Sequence, residues 1–224
     1  MIRRDYILRM IEEFLQALSR IRSLKKEQHF EQSAVALDEE FNRLIGAGAE
    51  ATARLSETEL LAKVMRGEPT QVVQTKIMML TTLLKQAGDL SSMRGDIESS
   101  RICYLKGLNL LLYGLAGADG EEIPAFVPKT EIFVAALSDS PLPLETAALL
   151  MQHLERTRQF DKAEDTLFEM LEAEPNDPRM LEFGISFYER LRTQPDDSLS
   201  AGNLPRSEVE AGLAELRDRK SALV

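Results

Sequence analysis

His29-Phe30-Glu31-Gln32-Ser33 returns in outline as Asp96-Ile97-Glu98-Ser99-Ser100 and again as Gln159-Phe160-Asp161-Lys162-Ala163. Each copy opens a stretch whose apolar residues follow helical spacing. A helical element that recurs with a fixed period buries its apolar face only by stacking on its neighbours. Its side chains therefore go into packing helix hairpins rather than into assembling a reactive centre. The pattern predicts an all-α chain of stacked antiparallel helix hairpins and points to a binding scaffold without naming its ligand.

Outward from these copies, the first helix is expected from about Arg4 to Lys26, with Ile7, Met10, Ile11, Phe14, Leu18 and Ile21 as its stripe. Leu8 and Leu15 widen that stripe, enough for a second neighbour, which could belong to the same chain or to a second copy. A turn near Gln28 leads to a helix over Glu31–Ile45, stopped by Gly46-Ala47-Gly48. Ser56 and Glu59 form a capping-box pattern for a shorter helix ending before Gly67 and Pro69. A long helix follows from Thr70 to about Gly88, and another from Asp96 to Leu115 whose apolar surface is too wide to face water. The run Gly117 to Pro124 reads as an irregular connection before a helix over Lys129–Leu137. Helices over Leu144–Arg158 and Phe160–Ala173 make the next hairpin, and Asp177 with Pro178 starts a helix reaching Arg192. The polar stretch Gln194–Pro205 reads as a flexible linker. A last helix starts at Ser207, with Glu210 as the capping-box partner. The expected division is a helical-repeat domain over 1–193, a linker over 194–206, and a capping or partner-contacting helix over 207–224.

Composition narrows the function classes. Apolar residues make up 44% of the 224, enough for a sizeable core, and charged residues 29%, enough for a soluble surface. The net charge of −10 argues against general nucleic-acid affinity, because phosphate binding needs lysine and arginine gathered on one face. The first helix is locally basic, a pattern that usually marks a solvated face. The single cysteine, Cys103, lies in an apolar stretch and reads as core, and without a disulfide framework a reducing compartment is expected. Asp5, Arg9, Glu12 and Glu13 interrupt any signal-peptide core, and the apolar run Leu110–Ala118 is far short of a membrane span. A cytoplasmic location is the expectation.

Phe30, Ile97 and Phe160 lie 67 and 63 positions apart, each close to twice the ~34 residues of one tetratricopeptide repeat. Two windows resemble that family. Over Thr81–Gly114 the matching residues are Leu84, Ala87, Gly88, Ser100, Tyr104 and Gly107. Over Leu144–Asp177 they are Leu150, Ala163, Leu167, Met170 and Pro175. The resemblance implies a tetratricopeptide-like right-handed superhelix with irregular repeats, since the family's tryptophan is missing and segments 48–80 and 115–143 carry prolines. An irregular α-bundle is the alternative architecture. The opening Arg4-Asp5-Tyr6-Ile7-Leu8-Arg9-Met10-Ile11-Glu12-Glu13-Phe14, with Leu44-Ile45-Gly46 and Leu55-Ser56-Glu57, is similar to a bacterial family of repeat-type helical proteins without an assigned function. That similarity implies a bacterial cytoplasmic protein and brings no catalytic residue.

Chemistry-bearing clusters are sparse. His29 and His153 are the two histidines, and His153 stands two residues from Glu155 on a helix, where such neighbours point apart, so no metal or cofactor is expected. Gly46-Ala47-Gly48-Ala49 ends a helix instead of following a strand, which excludes a dinucleotide loop. Asp119-Gly120-Glu121-Glu122 lacks the alternation of a calcium loop. The adjacent carboxylates Glu12-Glu13 and Asp38-Glu39-Glu40 diverge on a helix. By resemblance to the repeat, the first helices of the hairpins line a concave surface, with Thr82, Lys85, Asp89 and Ser92 in one hairpin and Glu145, Ala148, Gln152 and Glu155 in another. Asp161–Glu182 carries eight acids against Lys162 and Arg179, so a basic partner segment would suit it. The expectation is a noncatalytic protein-binding scaffold for another protein or peptide, with homodimerisation possible and neither nucleic acid nor membrane as partner. The alternative is a small-molecule sensor or enzyme with a pocket between helices near Met78, Met79, Cys103 and Tyr104.

Overall fold

The computed structural model describes residues 2–117, 123–175 and 177–223, the first three as backbone only. Among these every regular element is a helix: α1 (Ile2–Lys26), α2 (Phe30–Ile45), α3 (Ala49–Arg54), α4 (Glu57–Met65), α5 (Thr70–Met93), α6 (Ile97–Ala116), α7 (Thr130–Ala136), α8 (Leu144–Arg156), α9 (Phe160–Ala173), α10 (Pro178–Arg192), α11 (Asp196–Ala201) and α12 (Arg206–Ser221). The turn Asp119-Gly120-Glu121-Glu122 lies outside the described residues.

The three copies of the motif are three copies of one turn. The N–H groups of His29, Asp96 and Gln159 donate five residues back along the turn to the carbonyls of Leu24, Ser91 and Leu154, at 2.8, 2.9 and 2.9 Å. The residue before each sits in the left-handed region, Gln28 at φ 62°, Gly95 at 78° and Arg158 at 59°. This is the Schellman termination, here followed at once by the next helix. The register continues beyond the turn. Ser33 and Ser100 are both buried, and their hydroxyls donate to carbonyls twelve residues earlier, those of Ile21 and Gly88, at 3.4 and 2.9 Å. Ala163 fills the same place in the third hairpin, fully buried. Because left-handed backbone strains any side chain with a Cβ, Gln28→Gly and Arg158→Gly are each expected to stabilise by about 0.5–1 kcal/mol, after subtracting the chain entropy of glycine. Gly95→Gln is expected to cost a similar amount. Urea midpoints of the three variants check the prediction.

Two compact units divide the chain, Met1–Ser140 and Pro141–Val224. This boundary falls at Ser140/Pro141 rather than after residue 193. In the first unit the α1–α2 and α5–α6 hairpins pack together through α1 and α2 against α5. Phe14, Ile21, Phe41, Ile77, Met79 and Leu80 are fully buried between them. Gly88 does not end α5, which runs five residues further. A Cβ there would lie 3.0 Å from the Tyr104 ring, so its role is close approach of α5 to α6. Gly107 does the same for Phe133 of α7. Phe126 brings the connection before α7 onto α1, its ring centroid 5.2 Å from that of Phe14.

Between the two hairpins, segment 48–69 holds α3 and α4 instead of a second long hairpin. The Ser56–Glu59 capping box forms as expected. The helix α3 was not expected, because its N-terminal cap is not in its own sequence: the Asp38 carboxylate of α2 accepts from the Ala49 N–H at 2.9 Å. At the other end, the buried Lys106 ammonium of α6 donates to the Leu55 carbonyl, the C-cap of α3.

In the second unit α8 pairs with α9, α9 with α10, and α10 with α12. The expected flexible linker 194–206 is instead an ordered corner. It contains α11, and Leu199 and Leu204 are almost wholly buried. The polar composition concealed this because two leucines suffice to dock a short turn. The expected Ser207–Glu210 capping box does not form, since α12 begins one residue earlier, after Pro205, with no side-chain cap. Arg206 anchors that start, donating to the carbonyls of Arg192 at 2.9 Å and Gln194 at 2.6 Å. The Asp177 cap with Pro178 behind it forms as expected.

Candidate functional site

A dense polar cluster sits on α5. The Asp89 carboxylate accepts from Lys25 of α1 at 2.7 Å, from Lys85 at 2.8 Å and from the Tyr104 hydroxyl of α6 at 2.7 Å. Burial alone would raise the Asp89 pKa, but the hydrogen bonds from Lys25 and Lys85 outweigh it and hold the carboxyl below its ordinary value. Lys25 is displaced the other way from what pairing alone would do: burial lowers it more than Asp89 raises it. Asp89, with three donors, stabilises the cluster; Lys25 carries its desolvation cost. Burial also pushes the Tyr104 phenol up, so it stays a neutral donor.

The structure sorts the eight residues expected on a concave surface. Thr82 is fully buried, its hydroxyl donating to the carbonyls of Met78 at 2.9 Å and Phe126 at 3.4 Å, and so cannot line a groove. Asp89 is committed to the cluster above and Lys85 half-buried beside it, while Ser92 is exposed. Glu145 and Gln152 are exposed and Ala148 is half-buried. The Glu155 carboxylate is taken by a two-pronged pair with Arg190 of α10, both bonds 2.8 Å. The first four residues belong to one compact unit and the second four to the other.

A second carboxylate is less well compensated. Burial pushes Glu164 of α9 up, aided by the charges of Glu208, Asp165 and Asp161 and opposed only by a hydrogen bond from Tyr188 at 2.6 Å. Its folded pKa lies above the unfolded one, so its cost is full at neutral pH and relieved as pH falls through the folded value. Glu164→Gln keeps an acceptor for Tyr188 and removes the charge. It is expected to stabilise at pH 7 and to lose that advantage near pH 4, which denaturation at the two pH values checks.

The expected alternative pocket residues Met78, Met79, Cys103 and Tyr104 are core side chains, each less than a tenth exposed. Burial pushes the Cys103 thiol up to about 11. Relative to an ordinary thiol near 8.5, its thiolate fraction at pH 7.5 falls by more than a hundredfold. Iodoacetamide is expected to modify native Cys103 at least ~100-fold more slowly than the urea-unfolded chain, as read by intact mass. Next to Cys103 lies a cavity of about 230 Å³, lined from α2, α3, α5 and α6 by residues that include Leu37, Phe41, Ala53, Leu84, Ala87 and Arg94. Met78, Met79 and Tyr104 do not line it. Among the described residues no three His, Cys, Asp or Glu side chains converge to hold a metal ion, and no helix is long and apolar enough to cross a membrane.

Sequence reasoning missed one surface. Ile97 is 67% exposed and Met93, one turn before it, 50% exposed, whereas the equivalent Phe160 is 2% exposed. The difference is the cover. Over Phe160 lies the turn between α11 and α12, where the Gly202 carbonyl accepts from the Asp161 N–H at 3.1 Å and a Cβ on Gly202 would lie 2.4 Å from the ring. The tip of the α5–α6 hairpin is left open by comparison. The repeated motif held the signal, because three equivalent apolar positions need three covers.

No curated protein and no solved structure matches the chain. One family model does, over residues 1–221, and it fits a chain whose repeated signals are turns and packing positions rather than catalytic motifs: the protein belongs to the family of unknown function DUF6483.

Proposed function

We propose that this chain is a noncatalytic protein-binding module that engages its partner at the tip of the α5–α6 hairpin. The exposure of Ile97 and Met93, where the equivalent Phe160 of the α8–α9 hairpin is covered by the α11–α12 turn, carries the reading. Ser92 adds an exposed polar neighbour, as expected for the rim of an interface. The tetratricopeptide-type packing we assign to the hairpins is supported by the register of Gly88 against Tyr104 and Gly107 against Phe133. The single buried cysteine supports a cytoplasmic setting.

A photo-crosslinking residue at position 97 tests this in native lysate, with the exposed position Gln16 on α1 as reference. One protein captured at 97, absent at 16 and lost on Met93→Ser, is the expected result. Equal products at both positions would sink the reading. A second copy of the chain is the other reading a specific observation favours, since Leu8 and Leu15, one heptad apart on α1, are 49% and 43% exposed. Sedimentation equilibrium of wild type and Leu15→Arg separates it.

A further inference from the structure

We propose that the cavity between α2, α3, α5 and α6 binds a small monocarboxylate with an apolar body, its chain against Leu37, Phe41, Ala53, Leu84 and Ala87 and its carboxylate on Arg94. This goes beyond the protein-binding reading and does not depend on it. Four alanines, at 34, 49, 53 and 87, line the space from α2, α3 and α5, and the small Ser99 and Cys103 line it from α6, so every wall carries small side chains. The space is half open to solvent, and its apolar floor lacks dispersion contacts that the apolar body of a ligand would supply. At about 230 Å³ the space exceeds the ~150 Å³ of an apolar cavity known to stay dry and accept benzene.

The wall is apolar at the bottom and polar at the rim, where Glu50, Ser91, Arg94 and Ser99 stand. Glu50 pairs with Arg54 on the same short helix, but the two side chains are 82% and 78% exposed, so its charge stays at the rim on the α3 side, opposite in sign to Arg94. Arg94 pairs with Glu31 at 2.9 Å, but the Glu31 side chain is 92% exposed, so that pair is worth little and is readily exchanged. A ligand carboxylate arriving from the cavity side offers the guanidinium a less hydrated, two-pronged partner, with the Ser91 and Ser99 hydroxyls beside it. An apolar body with one anionic end is the chemistry that satisfies both zones.

The roof of the cavity is α3, six residues long and held by contacts from outside itself: Asp38 at its start and Lys106 at its end. Gly46, in the left-handed region, lies just before it.

Octanoate and benzoate, with octanol as the uncharged counterpart, test the assignment by calorimetric titration on the full chain. Saturable binding of at least one acid, at least tenfold tighter than the alcohol, is expected. Arg94→Gln should remove that tenfold preference, and Ala53→Leu, which fills the space from the roof, should abolish binding. Methyl NMR of wild type, with shifts confined to Leu37, Leu84, Leu90 and the lining alanines, keeps the test decisive if Ala53→Leu misfolds. No saturable binding of either acid, or shifts elsewhere only, overturns the site; an alcohol bound as tightly as the acid overturns the role of Arg94.

Discussion

Asp89→Asn is expected to destabilise the first unit by about 3–5 kcal/mol, the cost of leaving a buried ion without its partner. The Lys25 side chain is 9% exposed and that of Lys85 25%, so Lys25 cannot recover its hydration by turning outward, whereas Lys85 largely can. Asparagine can still accept from Tyr104, and so the loss isolates charge from shape. Lys25→Met in the Asp89→Asn background should restore most of the stability, since an apolar side chain of similar length fits the desolvated channel that the lysine stem occupies. Urea midpoints at constant m-value read both changes. A loss below about 1 kcal/mol for Asp89→Asn would mean that Lys25 reaches water and the cluster is ornamental.

The same cluster sets an acid limit. Asp89 titrates below its ordinary value in the folded chain, so its contribution is complete above the unfolded pKa of about 3.9 and is lost as pH falls through the folded value. Glu164 in the second unit has the opposite sign, raised when folded, and gains stability over the range in which Asp89 has not yet lost any. Acidification from pH 7 is therefore expected to firm α9, α10 and α12 first and only later to loosen α1, α5 and α6.

What could be read from the sequence was what lies within a few residues. The three hairpin turns were legible because a Schellman stop and the start of the next helix occupy consecutive positions, as at Gly95-Asp96-Ile97. The start of α3 was not, because Asp38 caps it from the preceding helix. Gly88 reads as a helix stop in isolation, and only Tyr104 reveals it as a contact. The same limit governed the candidate site. Asp89 and Glu155 looked like surface acids on their own helices, but the cations that claim them, Lys25 and Arg190, stand 64 and 35 residues away. Thr82 lost its place for a similar reason, turned inward to a carbonyl of the connection after α6. The exposed Ile97 was visible in the motif but not its exposure, which depends on the absence of a covering turn such as the one that Gly202 provides to Phe160.

Gly202→Ala is the sharpest test of that cover and of the ordered corner at 194–206, with an expected cost of about 3 kcal/mol. A Cβ at this position would lie 2.4 Å from the Phe160 ring and 2.7 Å from the Arg158 carbonyl oxygen. The ring is buried and cannot swing out, and the carbonyl is backbone, fixed by the turn that Arg158 makes in the left-handed region. Something must separate, and the least costly movement lifts the α11–α12 turn from the α8–α9 turn. That movement breaks the bond from the Asp161 N–H to the Gly202 carbonyl and exposes Phe160, Leu199 and Leu204 together. Gly46→Ala supplies the control: nothing lies within 4 Å of its added Cβ, and only its φ of 66° opposes the change, worth about 1 kcal/mol. Hydrogen exchange distinguishes the outcomes residue by residue. In Gly202→Ala the amides of Asp161 and of α11 through the start of α12 should exchange faster while those of α5 and α6 keep their rates. Unchanged protection at Asp161 would return 194–206 to the status of a linker and remove the physical contrast on which the proposed partner site at Ile97 rests.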